Sequence, residues 1–281
     1  MLEHSETALD EPWLGLVIGN TRLHWAWFDR QQLQGVWHTP HLTQAQATTL
    51  IQQNFAAAAW RSLRDTHSLA IDLPDTLTAP EGPLPLDCAS VVPKQTALWQ
   101  TYPSCRTVQL ADLPLAGLYP SLGIDRALNL WGAGDRYGWP ILVIDAGTAL
   151  TFTAGAAGRL VGGAILPGLS TQFAALTQTT ATLPATQFHD LLPPRWATDP
   201  SEAIRSGILY GILATLKDFV QAWRREYASG QVVLTGGDGA RLYHWWSQQP
   251  PVQSVESMVL EPNLAFWGLA RLRHHRHAKD R

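Results

Sequence analysis

The sequence predicts an α/β fold built twice, on three observations. Residues 14–28 read LGLVIGNTRLHWAWF, an apolar strand, a Gly19-Asn20-Thr21 tip and a second apolar strand. Residues 141–151 read ILVIDAGTALT and repeat that shape, with Asp145 ending the first strand and Gly147-Thr148 at the tip. The third observation is order, since each hairpin opens a run of three strands followed by a helix. Two such hairpins suggest a duplicated chain that holds a phosphate between its halves.

Residues 1–12 are acidic and aperiodic, and are expected to form a flexible leader. Residues 14–18 are a buried strand. Residues 23–28 alternate, so that Leu23, Trp25 and Trp27 share one face. Residues 35–39 follow as a third strand. Residues 43–63 are rich in Ala, Gln and Leu and free of Gly and Pro, and Thr43 can cap them, which predicts one helix. Short strands are expected at 68–73 and 86–92, each stopped by proline, then a short helix at 94–102 and a strand at 107–110.

Residues 112–122, rich in Pro, Gly and Leu, read as a linker or site loop. Residues 123–137 are helical, with Ile124, Ala127, Leu128 and Trp131 on one face. Strands at 141–144, 150–153 and 160–166 and a helix at 168–176 repeat the first plan. Residues 177–199 form a long, polar, Pro-rich loop, a kind that is often functional. A long helix at 200–227, a strand at 231–235, a Gly-rich turn, a helix at 240–248 and a last helix at 263–273 complete the chain. Residues 274–281 read as a solvated basic tail, His274, His275 and His277 included.

The 281 residues are 46% hydrophobic and 15% charged, which allows a sizeable core and argues against disorder. A net charge of −3 lacks the basic excess of a general nucleic-acid binder. No apolar run approaches the ~18 residues that a membrane span requires. Cys88 and Cys105 offer neither metal-ligand spacing nor a disulfide framework. With no secretory signal, a cytoplasmic location is expected. The thirteen tryptophans are expected in cores or interfaces, and the Trp245-Trp246 pair as helix packing.

The chemistry gathers at the tips. Glycine lets a backbone turn tightly and approach a ligand, and successive N–H groups make a concavity for anions. One such tip reads first as ordinary turn chemistry. Two matching tips at the starts of similar halves favour phosphate. Asp145 ends a buried strand, where a carboxylate is costly unless it meets a cation or donors. It points to a metal ligand, direct or through water; the alternative is an acid bonded to its own turn. Gly236-Gly237 lies between strand and helix, where a nucleotide could meet a helix N-terminus. A plain β–α connection would read the same. Gly162-Gly163 and Pro167-Gly168 either shape a pocket wall or terminate strands. Gly123-Ile124-Asp125-Arg126 opens a helix, and an acid in a first turn is ordinary charge placement. The alternative is a general base beside an arginine that binds an anionic substrate group.

Taken in order, these motifs resemble the type III pantothenate kinases. That family opens on Asp-x-Gly-Asn-Thr, matched by Val17-Ile18-Gly19-Asn20-Thr21. Gly-x-Asp-Arg follows at Gly123–Arg126 with Asn129 one turn on, then Asp-x-Gly-Thr-Ala at Asp145–Ala149. Gly-Gly-x-Ile-x-Pro-Gly matches Gly162–Gly168, Thr-Ala-x-Leu-Pro matches Thr180–Pro184, and Thr-Gly-Gly matches Thr235–Gly237. The resemblance implies two ribonuclease H-like, actin-like ATPase domains with a cleft between them. These would span residues 13–115 and 116–273, with residues 1–12 as leader and 274–281 as tail.

It also implies ATP-dependent phosphorylation of pantothenate, the first step of coenzyme A synthesis. Asp125 would be the catalytic base. Tyr119, Gly123, Ile124, Asp125 and Arg126 would line the pantothenate site, with Thr180 supplied across a homodimer interface. Val17, Ile18, Gly19, Asn20, Thr21, Arg22, Leu23 and His24 would form the first ATP loop. Thr148 would contact ATP phosphate, and Asp145 a potassium or ammonium ion. Magnesium would accompany the nucleotide. No nucleic acid or membrane partner is implied.

Two positions depart from the pattern. Val17 stands where the family has an acid, and His24 where many relatives have lysine. Either magnesium is then held mainly by phosphates and water, or activity is weakened. These departures support an alternative, a non-catalytic regulatory or binding relative. A phosphatase or sugar kinase of the same superfamily is a third reading, against which Tyr119, Thr180 and the Gly-x-Asp-Arg segment speak.

Overall fold

The computed structural model describes residues 11–67, 72–75, 77, 82–179, 191–249 and 258–279. The chain divides into two compact units. One holds Met1–Pro114, Leu118–Gly132 and Ala265–Arg281; the other holds Leu115–Gly117 and Ala133–Leu264.

The first unit contains β1 (Trp13–Ile18), β2 (Leu23–Asp29), β3 (Gln32–Thr39), β4 (Leu86–Ser90) and β5 (Cys105–Thr107), in the sheet order β3-β2-β1-β4-β5. The first three strands form an antiparallel meander, and β4 and β5 are parallel additions to β1. The second unit contains β6 (Ile141–Ala146), β7 (Ala149–Ala156), β8 (Arg159–Pro167), β9 (Gln231–Thr235) and β10 (Met258–Leu260), in the order β10-β9-β6-β7-β8. Its strand directions are the same: β6-β7-β8 antiparallel, β9 and β10 parallel. Read from the meander edge, both sheets run third, second, first, fourth, fifth. This is the duplicated ribonuclease H-like plan. Tight turns join the antiparallel strands, whereas the parallel neighbours require long helical crossovers.

Eight helices are described: α1 (Gln44–Gln52), α2 (Ala57–His67), α3 (Pro93–Trp99), α4 (Ile124–Tyr137), α5 (Leu169–Thr179), α6 (Pro200–Glu226), α7 (Gly239–Ser247) and α8 (Leu264–Lys279). The alternation of β2 puts Leu23, Trp25 and Trp27 into the first core, under α1, α2 and α3. Trp25 meets Trp60 and Trp99 edge to face, with centroids 5.0 and 4.9 Å apart, the arrangement that aromatic quadrupoles favour. The abundant tryptophan of this half is thus core material.

The helix expected over 43–63 is two helices. Its start is as read: Thr43 Oγ1 accepts from Gln46 N–H, and Gln46 Oε1 accepts from Thr43 N–H, a capping box. The break lies at Asn54 and Phe55, whose φ values are +47° and +56°. Asn54 leaves the helix to bind the chain entering β4, accepting from Leu84 N–H and donating to Gly82 O, both at 2.8 Å. Phe55 enters the tryptophan cluster. Neither Gly nor Pro marks this break.

Of the strand expected at 68–73, residues 68–71 lie outside the described residues, and Asp72 and Leu73 have no strand conformation. The strand expected at 107–110 lies earlier, at Cys105–Thr107, and Leu110–Asp112 is a 3₁₀ turn. The loop expected at 177–199 begins later, since α5 continues to Thr179. Residues 180–190 of that loop, and 1–10 of the expected leader, lie outside the described residues. Residues 274–279 are helical rather than a free tail. Two long-range ion pairs hold that helix: Arg276 to Asp112 at 2.6 Å and Arg273 to Asp87 at 3.2 Å. The short strand β10 carries no sequence signal of its own.

Candidate active site

In the first unit, the β1–β2 turn is closed by Gly19 N–H donating to Arg22 O at 3.0 Å. Asn20, Thr21 and Arg22 are exposed at its tip. His41 Nε2 donates to Gly19 O at 2.9 Å and ties the tip to the segment after β3. Val17 lies directly across from His24, and His24 directly across from His38. The two departures from the family pattern are therefore cross-strand neighbours. The Nδ1 atoms of His24 and His38 are 3.0 Å apart. Burial, then His38 and Arg22, lower the His24 pKa to about 4, so the ring is neutral near pH 7. His38 is lowered in the same way, by burial and then Arg22.

The second constellation of this unit is the start of α4. Asp125 is half-buried, and its Oδ1 accepts from Arg126 N–H at 2.8 Å. Burial lifts its carboxyl above the ordinary aspartate value, against the opposing pull of the Arg126 N–H and guanidinium. A Cβ on Gly123 would overlap Asp125 Oδ1, so the carboxylate occupies room that only glycine leaves. Arg126 is buried, and its Nη1 donates to Tyr119 Oη at 3.3 Å. The structure thus brings Tyr119, Gly123, Asp125 and Arg126 together. Beside them a cavity of about 450 Å³ is lined by Ser90, Val91, Thr107, Val108, Ser121, Leu122, Gly123 and Ile124. It lies past the carboxyl ends of β4 and β5, where open α/β sheets hold ligands, and its volume is in the small-molecule range.

In the second unit, Gly147 N–H donates to Ala149 O at 3.0 Å and closes the β6–β7 tip, with Thr148 exposed. Gly168 N–H and Thr171 Oγ1 both donate to Thr148 O, at 2.9 and 2.7 Å. A Cβ on Gly168 would overlap Gly147 O and lie 2.7 Å from Thr148 O. Pro167-Gly168 therefore braces the tip from the end of β8, and does more than terminate a strand. Gly162 and Gly163 lie inside β8, opposite Ala154 and Thr153.

Asp145 lies across from Thr235, and Asp238 N–H donates to Ala146 O at 2.9 Å. A Cβ on Gly236, at φ +91°, would overlap Asp145 Oδ1 and fall 2.6 Å from Ala146 O. Carboxylate and carbonyl oxygen thus border one glycine, a donor set suited to a hard cation. Asp238 Oδ1 accepts from Arg241 Nη1 at 3.0 Å at the start of α7, and burial raises its carboxyl. Among the described residues no three His, Cys, Asp or Glu side chains group as metal ligands. No described helix is long and apolar enough to cross a membrane. Thr180 lies outside the described residues.

Sequence reasoning passed over His38, His41, Thr171 and the Asp238–Arg241 pair. Thr171 was the easiest to find, one helical turn after the Pro-Gly. His38 was hidden by a bulge.

The family model of type III pantothenate kinases matches residues 13–222. A type III pantothenate kinase of Nostoc sp. is 43% identical over 270 residues, covering 95% of this chain and 96% of that relative. Another, from Synechocystis sp., is 40% identical over 94% of this chain and 91% of its own length. Among solved structures, a Baf family transcriptional activator from Campylobacter jejuni aligns with TM-score 0.59 at 16% identity, over 94% of this chain and 98% of the other. A 2-dehydro-3-deoxygalactonokinase protein from Sinorhizobium meliloti aligns at TM-score 0.50 and 14% identity, over 94% and 96%. At such identities the structures speak for the fold alone. The sequence matches, which run through both hairpins and the Gly-x-Asp-Arg segment, show that the chain belongs to the type III pantothenate kinase family.

Proposed function

We propose that this chain transfers the γ-phosphoryl group of ATP to the primary hydroxyl of pantothenate, giving 4'-phosphopantothenate for coenzyme A synthesis. Family membership supports the reaction, and the placement of Asp125 carries the mechanism. Its carboxylate sits at a helix start, beside a cavity, with a buried arginine next to it. Asp125 accepts the hydroxyl proton as the oxygen attacks phosphorus and ADP leaves. Phosphoryl transfer otherwise depends on positioning and charge neutralisation. Arg126 and Tyr119, already bonded to each other, bind the pantothenate carboxylate, and Gly123 and Ile124 shape the pocket.

The first tip, from Val17 to His24, holds ATP phosphates through its N–H groups, and Thr148 at the second tip adds a hydroxyl. Asp145, with the neighbouring Ala146 carbonyl, would hold potassium or ammonium, which would supply positive charge to the nucleotide site. The Val17 side chain offers magnesium no ligand, so magnesium would be held mainly by the nucleotide phosphates and water. Thr180 of a second copy completes the pantothenate site in a cytoplasmic homodimer. A non-catalytic relative is the second reading, favoured by Val17 and His24. Incubation with ATP, magnesium, potassium and pantothenate separates the two. Mass spectrometry finds phosphopantothenate if the chain is a kinase, and unmodified pantothenate would overturn the proposal.

A further inference from the structure

The β2–β3 ribbon carries a feature that the reaction above does not use. Its turn pairs Asp29 with Gln32, a register that, continued, would set His24 opposite Trp37. A bulge between Trp27 and Phe28 leaves Gln34 as an extra residue and shifts the register by one, so that His24 faces His38. Their Nδ1 atoms are 3.0 Å apart, close enough for one proton to be shared by two ring nitrogens. The other end of His24 points at the tip: its Nε2 lies 3.7 Å from where a Cβ of Gly19 would be.

We propose that His38 is a positioning residue for the first hairpin. Its Nδ1–H donates to His24 Nδ1 and holds His24 as the Nε2–H tautomer, whose proton faces the Gly19 tip and donates to a phosphate oxygen of the nucleotide. This rests on the reading that the tip binds ATP. Well above the phosphate pKa of about 6 a phosphate oxygen carries no proton to give, so of the two ways to share the proton, only donation by His38 lets His24 Nε2 donate. Nucleotide binding selects that state. The downward shift of both rings, by burial first, agrees, since a charged pair at 3.0 Å would also repel nearby Arg22. Across the strand pair His24 faces Val17 rather than an acid, and the ring nitrogen within reach of its Nδ1 is that of His38. His41 fixes the carbonyl side of the same tip.

The test uses two replacements of nearly equal size. His38→Asn keeps an N–H donor near the Nδ1 position, and His38→Leu removes it. The Asn variant is expected to keep the wild-type KM for ATP. The Leu variant is expected to raise that KM roughly three- to tenfold, the worth of one hydrogen bond, with kcat within about twofold. A purely structural role in the strand would favour leucine instead. In the ADP-bound wild type, ¹⁵N NMR of the His24 ring should show the proton on Nε2. Equal KM values for the two variants, or a His24 proton on Nδ1 with nucleotide bound, overturns the assignment and leaves the nucleotide reading standing. Failure of the wild type to bind ATP or ADP in calorimetry overturns both.

Discussion

Gly123 and Asp125 share one volume: a Cβ on the glycine would overlap the aspartate Oδ1. The Gly-x-Asp spacing is therefore a packing requirement at the start of α4, with the carboxylate folded back over the residue two before it. Gly123→Ala is expected to displace that carboxylate while the helix still forms. A shift on the order of 1 Å costs about 10²-fold in rate, so kcat/KM should fall by about that factor with a nearly unchanged thermal midpoint. Steady-state kinetics and a melt followed by circular dichroism check both halves.

Asp125→Asn removes the proposed base and leaves the shape. General-base catalysis contributes about 10²- to 10⁴-fold, and turnover should fall within that range while ATP affinity by calorimetry stays near wild type. Near-normal turnover would remove Asp125 from the mechanism.

The pH profile carries the sign of the Asp125 shift. Burial raises its carboxyl above the ordinary aspartate value of 3.8, and a general base, the role proposed for it, works only when ionised. Activity must therefore decline as pH falls through the raised value, so the acid limb of kcat/KM lies above 3.8. A rate that stays flat down to the ordinary aspartate value contradicts the assignment.

Gly168→Ala tests the brace of the second tip. The added methyl would overlap Gly147 O and crowd Thr148 O, and strain of this kind costs about 1–3 kcal/mol. Urea unfolding should show that loss, and KM for ATP should rise with it if Thr148 contacts phosphate.

Asn54→Ala tests the break between α1 and α2. Alanine loses both hydrogen bonds to the chain before β4 and tolerates a φ of +47° poorly. A loss of about 1–3 kcal/mol is expected. Asn54→Gly, which restores the backbone freedom but not the bonds, should lose less.

Much of this architecture was legible because it is local. The hairpins, the alternation of β2 and the Thr43 cap each follow from neighbouring residues, and the repeated order of elements exposed the duplication. What stayed hidden depends on contacts far apart in sequence. Asn54 breaks a helix to serve Leu84, and Arg276 orders an apparent tail by meeting Asp112. The site divides the same way. Asp125 and Arg126 could be named from a motif, and Tyr119 from the family resemblance. Pairing His38 with His24 required a bulge that no turn signal announced. The departures Val17 and His24, seven residues apart, became one cross-strand event only in the sheet.

Pantothenate as acceptor and Asp125 as its base are proposed together, and one assay bears on both. ADP release measured with magnesium and potassium, with and without pantothenate, in the wild type and Asp125→Asn, tests them most directly. ADP formation is expected to require pantothenate in the wild type and to nearly vanish in the variant. ADP release that ignores pantothenate, or that the variant sustains, would contradict them.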